Sequence, residues 1–207
     1  MKSIFAIFIV LTGVTITSNA QTNTDQESSI PVWTEEDRKY LLDNLVKSKE
    51  ELIQETKNLT EKQWNFKESP DRWNINQIVE HLAIWELIVM NEISVALQIG
   101  EFPQIKKYPP DSLFLGLDPE KNETTNFTKP FSYSVPLGNN TGRNNLIWLI
   151  SMRDESIEFV KEETRNLRVY YINFGPNIHH KCMQIFAHTY RHLRQIEKIK
   201  ADPNYPK

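Results

Sequence analysis

The sequence predicts an all-α protein, a four-helix bundle, and three observations carry that expectation. Four stretches of apolar residues recur at helical spacing, most of them open on a residue type that caps helices, and a long proline-bearing segment without period separates the second stretch from the third. An amphipathic helix must bury one stripe, and four stripes without alternating strand patterns are buried by packing on one another.

The first helix opens at Thr34, whose hydroxyl suits a cap while Asp37 reaches back, with Glu35 and Glu36 adding negative charge to the first turn. Its stripe is Leu41, Leu45, Leu52, Ile53 and Leu59, and it fades near Asn58. A connection carrying Trp64, Phe66, Pro70 and Trp73 follows. Asn74 starts the second helix with Gln77 as its capping partner, and Ile78, Leu82, Trp85, Val89, Ile93 and Ala96 form its stripe up to Gly100. From Glu101 to about Gly138 no period is sustained, and prolines recur at 103, 109, 110, 119, 130 and 136. A loop of this length in a compact domain is a lid or a crossover. The third helix begins near Asn140 or Thr141 and carries Leu146, Leu149, Ile150, Met152, Ile157 and Val160. Leu167 to Phe174 reads as a short strand or extended link. Pro176 suits the first turn of the fourth helix, which ends before Pro203. A helix of ~25 residues is about 38 Å long, and a chain returning along it needs at least ~12 extended residues. The segment after Gly100 is long enough, so the expected order is up-down-down-up, with the crossover between the second and third helices.

The start of the chain is read apart from the fold. Met1-Lys2 gives a short positive start, Ser3 to Thr17 is mostly apolar, and Ser18-Asn19-Ala20 offers the small residues a signal peptidase reads. Residues 1–20 are therefore expected to be a signal peptide cleaved after Ala20, and the protein to be exported, periplasmic or secreted. Residues 21–32 are polar and expected to be loose; 33–207 form the domain. The net charge of −3 is mixed in sign, so neither nucleic acid nor stable membrane insertion after signal removal is expected. The expected partners are a small-molecule substrate and, at most, a second copy in a homodimer. Cys182 is the single cysteine, so no disulfide framework exists and packing must supply the stability. It falls on the same face as Ile185 and reads as a small core residue.

The candidate chemistry lies in His188-Thr189-Tyr190-Arg191-His192. Two histidines four apart share a helix face, and Ile185, Thr189, Ile196 and Ile199 mark that face as buried. His81 sits on the stripe of Ile78, Leu82 and Trp85 in the second helix. Three neutral imidazoles converging from two helices would hold a metal and leave a coordination position open, as catalytic sites do. Thr189 stands where an H-E-x-x-H zinc protease needs its glutamate, so that chemistry is not expected. With no anionic ligand the ion keeps its full charge, and metal-bound water would have its pKa lowered towards ~7. Zinc and nickel both suit imidazole. No catalytic side chain is assigned beyond that water. Gln77, Gln184 and Gln195 stand three or four residues from a ligand, close enough to orient imidazoles, although solvated surface suits each of them as well. Glu80 and Arg191, each adjacent to a ligand, point elsewhere and cannot bind the same ion. His179 and His180 are expected at an exposed helix start, and Trp64, Trp73, Trp85 and Trp148 in the core or an interface.

Leu59-Thr60-Glu61-Lys62-Gln63-Trp64 with Trp73-Asn74-Ile75-Asn76-Gln77-Ile78-Val79-Glu80-His81-Leu82, and Ala187-His188-Thr189-Tyr190-Arg191-His192-Leu193-Arg194-Gln195-Ile196 with the tail Asp202-Pro203-Asn204-Tyr205-Pro206, resemble the DinB superfamily of bacterial four-helix bundles. The resemblance spans roughly Trp33 to Pro206. Asn74 replaces the serine often found after the tryptophan and caps equally well. The resemblance implies a divalent metal on His81, His188 and His192, and either metal-dependent hydrolysis or thiol-dependent transfer. The leading expectation is a metal-dependent hydrolase of a small molecule. The alternatives are transfer of a low-molecular-weight thiol and a non-catalytic metal-binding or stress-associated module.

Overall fold

The computed structural model describes residues 31–102, 110–112, 132–172 and 175–207. The expected signal peptide and nearly all of the polar segment after it lie outside these residues, as does most of the crossover. Five α-helices are described: α1 (Glu35–Thr56), the single turn α2 (Glu61–Trp64), α3 (Ile75–Ile99), α4 (Gly142–Glu162) and α5 (Ile178–Lys200). A 3₁₀ turn, Ser132–Ser134, precedes α4. The protein is an all-α bundle, and no strand is found among the described residues.

Local chemistry sets the helix starts. Thr34 with Asp37, Thr60 with Gln63, Asn74 with Gln77 and Asn177 with His180 each form a reciprocal capping box, which satisfies amide donors that the first turn leaves open. Within the segment expected to be a connection stands α2, whose Thr60-x-x-Gln63 signal is of the same kind as those that start α1 and α3. The cap of α5 is Asn177, not Pro176, which precedes it. α3 ends at Gly100, whose φ of 107° lies where side chains are rarely tolerated. Leu167 to Ile172 forms no strand; it runs as a buried link with one isolated bridge, Tyr171 to Asn177.

α1 packs on α4 and α5, and α3 packs on the same two helices, so α1 and α3 sit on opposite corners. Contacts between helix ends give their senses. Trp33, just before α1, bonds His179 at the start of α5, and Glu55 near the end of α1 meets Lys200 at the end of α5. Asn76 at the start of α3 bonds Asn145 at the start of α4. Arg38 in the first turn of α1 reaches the carbonyl of Val160 near the end of α4. α1 and α5 therefore share one sense, and α3 and α4 share the opposite one.

The core has two apolar halves. One gathers Leu41, Leu45, Val89, Ile93, Val160, Ile178, Met183 and Phe186; the other gathers Leu52, Ile75, Ile78, Leu82, Leu149, Leu193, Ile196 and Ile199. Between them each main helix contributes a polar residue at stripe spacing: Ser48, Glu86, Arg153 with Ser156, and Thr189. Arg153 makes a two-point ion pair with Glu86 at 2.8 and 3.0 Å and donates to Ser48 and Thr189, while Ser156 donates to Glu86. Both charged side chains are 2% exposed. Cys182 lies buried in the first half, where desolvation pushes its thiol up to about 12, so it is an inert core residue.

α3 is long and apolar enough to cross a membrane by composition alone. Here it carries buried Glu80, His81 and Glu86 and packs on α4 and α5, so it serves as a core helix. Close packing also fixes its entry. Trp64 lies flat on the start of α4 at Gly142, where a Cβ would stand 2.2 Å from Trp64 Cδ2. The tail returns to the same end, Gln63 donating to the carbonyl of Pro206 and Tyr205 meeting Phe66 edge to face.

Candidate metal centre

His81 occupies the second turn of α3, and His188 and His192 lie one turn apart on α5. Because α3 and α5 run in opposite senses, the early turns of one face the later turns of the other. The ligand atoms of the three histidines all lie within 4.8 Å of one another. His188 Nε2 stands 3.3 Å from His81 Nε2 and 3.1 Å from His192 Nε2. A tetrahedral zinc with bonds of about 2.0–2.1 Å needs ligand nitrogens roughly 3.3–3.4 Å apart, so the spacing fits an ion with little movement.

Proton counting points the same way. His81 Nδ1 lies 2.6 Å from the carbonyl oxygen of Ser134, and His192 Nδ1 lies 2.9 Å from Gln195 Oε1. Both partners accept, so both Nδ1 atoms carry the hydrogen and both Nε2 atoms present lone pairs. His188 Nε2 lies between them and can offer one hydrogen at most, so lone pair confronts lone pair in a buried site. A cation at the convergence point resolves that conflict. A proton is poorly suited to the role. Burial, reinforced by Arg191 and by the other imidazoles, holds His188 well below its ordinary value and His192 down to about 3. Burial and Arg191 likewise lower His81, against the opposing Ser134 carbonyl. The three rings are neutral at pH 7, the form in which imidazole binds metal.

The walls are aromatic. Trp73 packs against His81 at 4.9 Å between ring centroids, and Trp85 against His188 at 4.8 Å. Gln195 is the glutamine that reaches a ligand. Gln77 serves the cap of α3, and Gln184 makes no hydrogen bond among the described residues. Glu80 does not turn toward the imidazoles; its carboxylate accepts from the amide of Gly138 at 2.9 Å. The Ser134 carbonyl could not be read from sequence, because nothing local ties the crossover to His81.

The structure corrects one expectation at the opposite end. His179 and His180 are not at an exposed helix start; each is 1% exposed. His180 closes the capping box of α5 with Nδ1 and bonds Asp111 through Nε2 at 2.9 Å. His179 Nδ1 accepts from the Trp33 indole at 3.2 Å. Arg168 joins the group, with a two-point pair to Asp111 at 2.9 Å and another bond of 2.7 Å to Asp37. Asp37, Asp111 and His179 lie close enough together to hold an ion, but the Arg168 guanidinium already bonds both carboxylates. This cluster fastens the crossover to the bundle. Sequence reasoning missed it because its partners are far apart in the chain.

The cluster has a pH consequence. Burial, with Arg168 adding to it, lowers His179 to about 4, and the Arg168 hydrogen bond lowers Asp111 despite its burial. Depressed native pKa values mean that the unfolded chain binds more protons in acid, so stability falls as pH falls. For His179 the loss begins near pH 6.5, the unfolded value, and is complete in rate at about 4; Asp111 extends it to lower pH. A melting series from pH 8 to 4, in metal-free protein, should show a nearly level region above 7 and a steady decline below 6.5. His179→Gln should reduce the slope between 6.5 and 4.

In comparisons with known proteins, the family model of the DinB superfamily matches residues 44–196. The match includes all three converging histidines. No curated protein and no solved structure matches the chain.

Proposed function

The chain belongs to the DinB superfamily, and from that premise we propose that it is a metal-dependent hydrolase of a small molecule, with one divalent ion, zinc or nickel, on His81, His188 and His192. The observation that carries the reading is the convergence of three neutral imidazole nitrogens with no carboxylate among them. When bound, the ion supplies undiminished Lewis acidity, able to activate water or polarise a carbonyl.

The residues of the chain do the rest. Ser134 and Gln195 hold the hydrogens of His81 and His192 on Nδ1, keeping both Nε2 lone pairs aimed at one point. Trp73 and Trp85 flank the imidazoles and exclude water from their faces. Arg191 adds positive potential over the same three rings, which favours an anionic substrate or a developing oxyanion. The buried Cys182 offers no thiolate, so a thiol reaction would depend wholly on an external co-substrate.

Export is part of the proposal. Outside the reducing cytosol low-molecular-weight thiols are scarce, whereas water is always at hand. The test uses protein purified without a histidine tag and loaded with zinc or nickel. Turnover of activated ester or amide probes is expected without added thiol and should be lost in His188→Ala. A strict thiol requirement would assign the protein to thiol transfer instead. Mapping the native N-terminus checks cleavage after Ala20.

A further inference from the structure

Glu80 is buried, 1% exposed, beside a candidate ligand, and it does not bind there. Burying a carboxylate is costly unless strong hydrogen bonds compensate. Its bond to the Gly138 amide stands with two others between the first turns of α3 and the limb of the crossover that returns to α4. Asn76 Nδ2 donates to the carbonyl of Asn140 at 3.1 Å, Glu80 accepts from Gly138 at 2.9 Å, and His81 meets the carbonyl of Ser134 at 2.6 Å. Asn76 and Glu80 are four apart and share a helix face.

The limb is weakly held by apolar burial. Tyr133, Val135 and Leu137 are 59%, 42% and 70% exposed, so apolar burial does not place this segment. Gly138, at φ 73°, is a point where the backbone turns freely. Ser134 is nevertheless buried, with its carbonyl on His81. Polar bonds therefore contribute to its position, and the buried carboxylate of Glu80 holds the backbone amide of Gly138 four residues beyond Ser134.

We propose that Glu80 is a positioning residue for the metal centre: by holding Gly138, it keeps the Ser134 carbonyl on His81 Nδ1 and so fixes the tautomer and orientation of that ligand. The role rests on the reading of the three histidines as a metal site. Its effect is on metal affinity, independent of any turnover.

The experiment measures zinc affinity of the full chain by competition with a chromophoric chelator, for wild type, Glu80→Ala, Glu80→Gln and Glu80→Asp. Loss of an outer partner of a metal ligand weakens binding about 10- to 100-fold, and that is the change expected in Glu80→Ala. Glu80→Gln keeps an acceptor at the same reach and should recover most of the loss. Glu80→Asp keeps the charge but withdraws it by one methylene, and should bind as weakly as Glu80→Ala. Amide exchange over 132–138 should quicken in Glu80→Ala while Val89–Ile93 stays protected, a readout that a general loss of stability would not give. Wild-type affinity in all three variants overturns the role alone, and so does an equal loss in Glu80→Gln and Glu80→Ala. Wild-type protein that binds no zinc overturns the metal reading and this role with it. Should Glu80→Ala fail to fold, Glu80→Gln against Glu80→Asp decides.

Discussion

Replacing His192 or His81 with alanine is expected to remove nearly all of the bound metal, taking the stoichiometry from one ion per chain to close to none. In the proposed site each would supply one of three neutral donors, and two imidazoles alone would leave the ion largely to solvent. His179→Ala should leave the stoichiometry unchanged, because that ring faces Trp33 and Arg168 at the start of α5. It should still lower the melting temperature, since the ring is buried. Metal that binds only the native state stabilises it by mass action, about 2.7 kcal/mol when present at a hundredfold over its dissociation constant. For a domain of this size that corresponds to roughly 5–10 °C in Tm. Chelation should therefore lower the Tm of the parent protein by that amount and leave His192→Ala where it is. Full metal content in both ligand variants, measured by elemental analysis, would end the assignment.

The second large effect concerns stability. Arg153→Met leaves Glu86 buried, charged and without its two-point partner, while Ser48 and Thr189 lose a donor. Breaking a buried pair from one side costs about 3–5 kcal/mol, whereas replacing both members with apolar residues is often close to neutral. Denaturant unfolding should show that loss in Arg153→Met and recovery of much of it in Arg153→Met with Glu86→Leu. A single variant within about 1 kcal/mol of the parent would show that the layer is hydrated and weak. Thr189 lies between His188 and His192 on α5, so the double variant also asks whether the layer shapes the metal centre. Unchanged zinc affinity would confine its role to packing.

What the sequence made legible is what depends on neighbours along the chain. Thr34 with Asp37, Asn74 with Gln77 and the stop at Gly100 are local chemistry. The spacing of His188 and His192 is helix geometry, and His81 falls on a stripe that any four-helix bundle turns inward. The polar layer also carries a sequence signal: Ser48 lies between Leu45 and Leu52, Glu86 between Leu82 and Val89, and Arg153 between Leu149 and Val160, all at helical spacing. The charge of Glu86 and Arg153 alone suits a surface, and their position on the stripes indicates core. The burial of His179 and His180, the hold of Gly138 on Glu80 and the carbonyl above His81 were not readable. Each depends on where the crossover returns to the bundle, and partners separated by 50 to 150 residues leave no periodic signal.

The pairing of α1 with α5 in the same sense has a consequence for how the molecule comes into being. The contacts that join them link residues more than 130 positions apart, as between Trp33 and His179 or Glu55 and Lys200. Closing so long a loop carries an entropic cost that must be met before the contacts contribute, and topologies of this kind fold slowly for their helical content. During synthesis α1, α3 and α4 emerge with the surfaces meant for α5 still exposed. Two of the three histidines proposed to hold the metal arrive only with that last helix. A chain halted before Ile178 would therefore display part of an apolar core and lack two of the three proposed ligands, so metal binding at the proposed site would mark complete assembly.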